Sequence, residues 1–126
     1  MIQANEIRIY IENQESSRKR TLRDLQDIEK GIIKTMRENS ISFKSLDQLR
    51  QFLTPKRIEL LKVINRKKPN SIYELAKLVK RTPENVNTDI KMLKQLGFVS
   101  VKKVKDKRRK SIPSVNFDKM IVEIDI

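Results

Sequence analysis

Four polar side chains within residues 83–96 offer the clearest recognition chemistry in this chain. They are Asn85, Asn87, Thr88 and Lys91, and they fall on the outward side of a segment whose inward side is apolar. Asparagine can form two hydrogen bonds to the edge of adenine, and threonine can hydrogen-bond a base or contact the methyl group of thymine. These four residues are therefore candidates for reading base edges. The alternative for each is a solvated surface side chain, with Asn85 serving only the helix cap.

A second group of candidates would bind phosphate, which positions a protein on a nucleic acid without reading its sequence. Ser71 and Thr82 begin predicted helices, whose free N–H groups attract anions, although capping alone would also explain both. An arginine at the tip of the predicted hairpin would also fit a narrow minor groove; the alternative is a solvated tip. Asp89 is expected to turn toward a Lys or Arg. The candidates are Ser71, Lys80, Arg81, Thr82, Lys94, Lys105, Lys107, Arg108, Arg109 and Lys110.

The positive charge of the chain is concentrated in its middle. Residues 54–110 carry 18 Lys or Arg and 5 Asp or Glu, a balance of +13, whereas residues 1–53 balance at +2 and residues 111–126 at −2. A localised positive field attracts a polyanion and speeds the encounter with it. The alternative is ordinary solvated surface charge. The neutral ends favour a polyanionic partner.

Composition argues against several other functions. The 126 residues include no cysteine, no histidine and only two glycines. The chain therefore lacks thiolate and imidazole metal ligands, the most common general base and the material for a glycine-rich phosphate loop. We expect no enzymatic activity, no metal and no cofactor. With no run of about 18 apolar residues and no signal-peptide pattern at the N-terminus, we expect a cytoplasmic protein without a membrane partner.

The N-terminal part of the chain predicts a strand and two helices. Residues 5–12 alternate between isoleucine and polar or aromatic side chains, which is the period of a strand. Apolar residues then recur every three or four positions over residues 17–38, which predicts a long amphipathic helix. Ser45, with Gln48 three residues later, has the spacing of a capping box and predicts a short helix.

The helices that must position the candidate residues are marked by their starting signals. Thr54-Pro55 and Thr82-Pro83 each place an N-cap before a proline, and Ser71 with Glu74 forms a second capping box. These signals predict helices over residues 55–65, 71–80 and 83–96.

Alternating apolar residues return after Gly97, which we expect to stop the third of these helices. They predict one strand from Phe98 to Val104, a partner strand over residues 110–115, a basic tip over residues 105–109 and a last strand over residues 121–126.

Two helices joined by a short turn and followed by a basic hairpin have the order of a winged helix-turn-helix. The stretch SIYELAKLVKRTPENVNTDIKMLKQLGFV resembles the core of MarR- and ArsR-like transcriptional regulators. Together with SFKSLDQLRQFLTPKRIELL before it and IPSVNFDKMIVEI near the end, it is most similar to a group of small prokaryotic helix-turn-helix regulators. The resemblance implies a mainly α fold with a small β component (α+β), in which the helix over residues 83–96 enters the major groove.

These observations predict two parts, an extension over residues 1–40 and a DNA-binding domain over residues 41–126 that includes the last strand. Isoleucine and valine rows in the two terminal strands suggest pairing, either within one subunit or between subunits of a homodimer. We expect a sequence-specific, homodimeric repressor of transcription that binds double-stranded DNA. The alternatives are an antitoxin-like chain that binds another protein and regulates its own gene, and a protein that coats DNA without sequence preference.

Overall fold

A computed structural model of the chain describes residues 5–11, 32–33, 40–105 and 109–126. The fold is of the α+β class. Its elements are β1 (Glu6–Ile11), β2 (Ile32–Ile33), β3 (Ser40–Phe43), α1 (Leu46–Phe52), α2 (Pro55–Lys67), α3 (Ile72–Val79), α4 (Pro83–Gln95), β4 (Ser100–Lys105), β5 (Arg109–Ser114) and β6 (Lys119–Ile124). Within the described ranges, no helix has the length and apolar character needed to cross a membrane.

The chain divides into two compact units. We call Met1–Gln51 with Phe117–Ile126 the sheet unit, and Phe52–Asn116 the helical unit. The predicted division placed a boundary after residue 40 and assigned the last strand to the DNA-binding part. In the structure β6 belongs instead to the sheet unit, because it pairs along its whole length with β1.

The sheet unit contains a four-stranded sheet in the order β2-β3-β1-β6. β1 is parallel to both of its neighbours, and Ile9 lies opposite Ile41 on one side and Val122 on the other. Ile7, Ile9 and Ile11 are all buried, as the predicted alternation over residues 5–12 requires. The terminal strands therefore pair within one chain.

The prediction of a helix over residues 17–38 is wrong at Ile32 and Ile33. These residues form β2 and pair antiparallel with Phe43 and Ser42 of β3. Adjacent β-branched residues favour a strand, and Gly31 before them weakens a helix. The rest of the predicted helix lies outside the described residues.

The starts of all four described helices follow the predicted capping chemistry. The N-cap side chain accepts a hydrogen bond from the backbone N–H three residues later at Thr54, Ser71 and Thr82, over 3.2, 2.9 and 3.2 Å. At the start of α1, Ser45 accepts from the N–H of Gln48 over 3.1 Å, while the Gln48 side chain accepts from the N–H of Lys44. These bonds satisfy N–H groups that have no partner inside the helix.

Two helices of the helical unit end in the same way, although only one of them uses glycine. Gly97 has a φ of 84°, and the N–H of Phe98 reaches back to the carbonyl of Leu93 over 2.9 Å. After α3, Lys80 takes the left-handed position with a φ of 56°, and the N–H of Arg81 donates to the carbonyl of Ala76. Both arrangements close the last helical turn.

The core of the helical unit is built from α2, α3 and α4, which pack on one another, with β5 packed against α2 and α3. The β4–β5 hairpin has the predicted antiparallel pairing, with Val101 opposite the buried Pro113 and Lys105 opposite Arg109. The hairpin is therefore anchored at its base and extends toward its basic end. Buried apolar residues of this unit are Leu60, Leu61, Ile64, Leu75, Ala76, Val86, Ile90, Leu93, Leu96, Phe98 and Val99.

Candidate nucleic-acid interface

The exposed face of α4 carries most of the candidates for reading base edges. Asn85, Thr88 and Lys91 are exposed, whereas Asn87 is half-buried at the border of this face. The inward positions of α4, which include Val86 and Ile90, are buried. Packing of those positions against α2 and α3 turns the polar side chains outward, as the helical spacing predicts.

The hydrogen bonds of α4 limit what two of these residues can offer. The hydroxyl of Thr88 donates to the carbonyl of Glu84 over 3.0 Å, so its proton is engaged while its oxygen and methyl group stay on the exposed face. The backbone N–H of Asn85 donates to the side chain of Thr82. Because the cap uses this backbone group, it does not require the amide side chain of Asn85.

Ser71 and Thr82, the two residues at helix starts that were predicted to contact phosphate, both act as helix caps. Ser71 accepts from the N–H of Glu74, and the carboxylate of Glu74 accepts from the N–H of Asn70 over 2.9 Å. Thr82 caps α4 and remains exposed. A phosphate contact by either residue stays a prediction.

Three charged side chains form a cluster beneath α4. Asp89 Oδ1 lies 3.0 Å from Arg57 Nε, and Asp89 Oδ2 lies 2.7 Å from Arg81 Nη2. Their side chains are only 13–20 % exposed. Arg57 also donates from Nη1 to the carbonyl of Phe52 over 2.9 Å. The cluster therefore ties the start of α2, the turn before α4 and the middle of α4 together.

Arg81 was predicted to contact phosphate, but in this cluster it pairs with Asp89 of the same chain. Its Nη2 is engaged by Asp89, and its Nη1 is buried without a hydrogen-bond partner among the described residues. The expectation that Asp89 turns toward Lys or Arg is confirmed.

Asp89 is held in its ionised form. Partial burial raises the pKa of its carboxyl, but the hydrogen bonds from Arg81 and Arg57, together with their charges, outweigh burial and lower the pKa below its usual value of 3.8. One carboxylate between two guanidinium groups leaves the cluster with a net positive charge at neutral pH.

The β4–β5 hairpin is basic on both faces. Its register places Lys103, Lys105 and Arg109 on one face, and Lys102 and Lys110 on the other. All five are exposed. Lys102 and Lys103 were not among the predicted contacts, although the cluster of basic residues between Lys102 and Lys110 in the sequence could have identified them. Lys107 and Arg108 lie outside the described residues.

The whole net charge of the chain falls in one of the two units. The sequence of the helical unit carries 18 Lys or Arg and 5 Asp or Glu, a net charge of +13. The sequence of the sheet unit carries 11 of each, a net charge of zero. In the described ranges, no group of three or more acidic, cysteine or histidine residues could hold a metal ion.

Comparison with protein families matches residues 52–122 to a family model described as HVO_A0114. The matched region is more than half of the chain; it begins where the helical unit begins and continues into β6. Comparisons with curated proteins and with solved structures found no match.

Proposed function

The chain belongs to the HVO_A0114 family, and we propose that it is a double-stranded DNA-binding regulator of transcription of the winged helix-turn-helix class. The single observation that carries the proposal is the confinement of the entire +13 net charge to the helical unit. That unit also presents an exposed polar helix face and a hairpin that is basic on both sides.

In this proposal, α3 and α4 are the two helices of the helix-turn-helix. Three residues, 80–82, separate them, which is the turn length of that motif. α4 would lie in the major groove, which is wide enough to admit a helix. Its N-terminal half would then bring Asn85 and Thr88 closest to the base edges, with Asn87 and Lys91 beside them.

The hydrogen bonding of Thr88 suggests how it would contact DNA. Its proton is donated to the carbonyl of Glu84, so the side chain offers an acceptor oxygen and a methyl group. A methyl group suits contact with the methyl of thymine, while the amides of the two asparagines suit adenine. The geometry therefore favours an A·T-containing site.

The hairpin would act as the wing and supply most of the affinity. Lys103, Lys105 and Arg109 on one face, with Lys102 and Lys110 on the other, could approach phosphates on either side of the hairpin. Such contacts release counterions and are independent of sequence. Specificity would come from α4, and repression would require only that the bound protein occupies its operator.

The proposal is tested by measuring binding of the full chain to random duplex DNA at about 50–200 mM salt, and by selecting bound genomic fragments. We expect salt-dependent binding together with one enriched sequence motif. Binding with a steep salt dependence but no motif would favour the coating protein. A second protein that co-purifies at fixed stoichiometry would favour the antitoxin-like role. Failure to bind duplex DNA even at low salt would overturn the proposal.

A further inference from the structure

The outer edge of β6 is an exposed apolar feature of the sheet unit. β6 pairs with β1 on one side and has no second strand neighbour among the described residues. Val122 and Ile124 are 46 % and 49 % exposed, although Ile9 and Ile11 beside them on the same face are 0 % and 6 % exposed. An edge of this kind is a template for pairing with another strand.

We propose that β6 pairs antiparallel with β6 of a second copy of this chain, with Val122 on the twofold axis. The sheet would then continue from one copy into the other. A twofold contact uses the same residues from both copies, so the pairing must be self-complementary. Both the backbone and the side chains of β6 meet this condition.

The backbone of β6 directs the correct groups outward. The N–H of Asp125 donates to the carbonyl of Ile11 over 3.1 Å, at the end of the β1–β6 ladder. Since successive residues of a strand point their hydrogen-bonding groups to opposite sides, Met120, Val122 and Ile124 present theirs to the free edge. Centring the pair on Val122 places Val122 opposite its own copy and Met120 opposite Ile124 of the second copy. Each such residue pair would exchange two hydrogen bonds.

The side chains select this register. With Val122 on the axis, the exposed valine and isoleucine are covered by apolar residues, and Lys119 lies opposite Asp125 of the second copy. Opposite charges across two strands are stabilising, and like charges are destabilising. Centring on Glu123 would place two glutamates against each other. Centring on Ile121 would also place Lys119 opposite an acidic residue, Glu123, but it would place Ile124 opposite Asp118 and leave the side chain of Ile124 uncovered.

The proposal is independent of DNA binding. It depends only on β1 and β6 of the sheet unit, and none of its residues lies in the helical unit. A chain that binds DNA as a monomer would overturn the pairing and leave the proposed function intact. A chain that forms the dimer but does not bind DNA would support the pairing and overturn the proposed function.

Sedimentation equilibrium of the full chain tests the pairing. We expect a dimer, and we expect Asp125→Lys to raise the dissociation constant roughly tenfold, because two charge pairs per dimer become repulsive while Lys119 keeps its contact with Glu6 of its own chain. Adding Lys119→Asp should bring the value back toward the original. The proposal would be overturned if the chain remained monomeric at about 100 μM, which lies in the upper part of the micromolar range of dissociation constants. Loss of dimer without rescue would overturn the register.

Single cysteines test the same register through distance, since the chain has none of its own. Residues opposite each other in a hydrogen-bonded pair have Cα atoms about 5.5 Å apart, within the range of a disulfide. Val122→Cys should therefore crosslink two copies under mild oxidation. Ile121→Cys should not, because its diagonal spacing of about 7–8 Å is too long. Gln95→Cys, at an exposed site, controls for random collision. Crosslinking through residue 121 and not 122 would contradict the proposal.

Discussion

Arg81 Nη2 lies 2.7 Å from Asp89 Oδ2, so an ion pair connects the turn before α4 to the middle of that helix. Arg57 holds the other carboxylate oxygen of Asp89 and brings α2 into the same cluster. The orientation of the exposed face of α4 therefore depends on an ionised carboxylate beneath it. This dependence makes the cluster a test of how the helical unit is held together.

Asp89→Ala should lower the free energy of unfolding by about 2 kcal/mol, because it leaves two partly buried guanidinium groups without their acceptor. Urea denaturation at neutral pH measures the loss. Gln95→Ala, at an exposed position of the same helix, is the control and should change stability by less than about 0.5 kcal/mol. Equal effects of the two substitutions would show that the cluster does not stabilise the fold.

Acid should remove the contribution of Asp89 to the stability of the fold in a defined pH range. Its pKa is lowered in the folded state, so the contribution is fully present above its usual value of 3.8 and is lost as the pH falls through the folded pKa. The difference in stability between the unchanged chain and Asp89→Asn should therefore be constant from neutral pH to about pH 5 and shrink below about pH 4. Urea titrations at several pH values measure this, and a difference that grows on acidification would contradict the expected sign.

Lys80→Gly should stabilise the helical unit by up to about 1 kcal/mol, because a left-handed φ of 56° costs energy for any residue with a Cβ atom. Lys80→Ala is the matched control, since it removes the same charge and keeps the Cβ atom. Thermal or urea unfolding distinguishes them. If both substitutions have the same effect, the change in charge and not the backbone conformation is responsible.

Replacing Lys103, Lys105 and Arg109 by alanine should weaken binding to all duplex sequences alike. The slope of log affinity against log salt should become shallower by up to about 0.9 for each phosphate that the variant no longer neutralises. Fluorescence anisotropy over a salt series measures both effects. Lys44→Ala removes an exposed lysine of the sheet unit and should leave the slope unchanged. An unchanged slope in the triple variant would show that this face of the hairpin does not bind phosphate.

Asn87→Ala should change sequence preference more than salt dependence. Removing a pair of hydrogen bonds to adenine would reduce discrimination at one base pair by about 1–3 kcal/mol. Selection from a randomised duplex library measures the preference, and circular dichroism checks that the fold survives substitution at a half-buried site. A uniform loss of affinity without a change of motif would indicate a structural role for Asn87.

The local elements of the helical unit were predictable because their causes are local. Thr54, Ser71 and Thr82 each satisfy an N–H group only three residues away, and Gly97 supplies its own left-handed turn. The alternation in β1 and the hairpin, and the concentration of positive charge in the middle of the chain, were also evident from the sequence. These features sufficed to name the face of α4 and most of the basic residues.

The tertiary structure alone decided features that depend on residues far apart in the sequence. β6 joins the sheet unit because its backbone pairs with β1, and Ile32 and Ile33 form a strand because β3 offers them a partner. Arg81 turns inward because packing of α2 and α4 brings Asp89 and Arg57 to it. Sequence periodicity shows which face of an element is apolar, but the partner of that element is selected by the free energy of long-range pairing and burial.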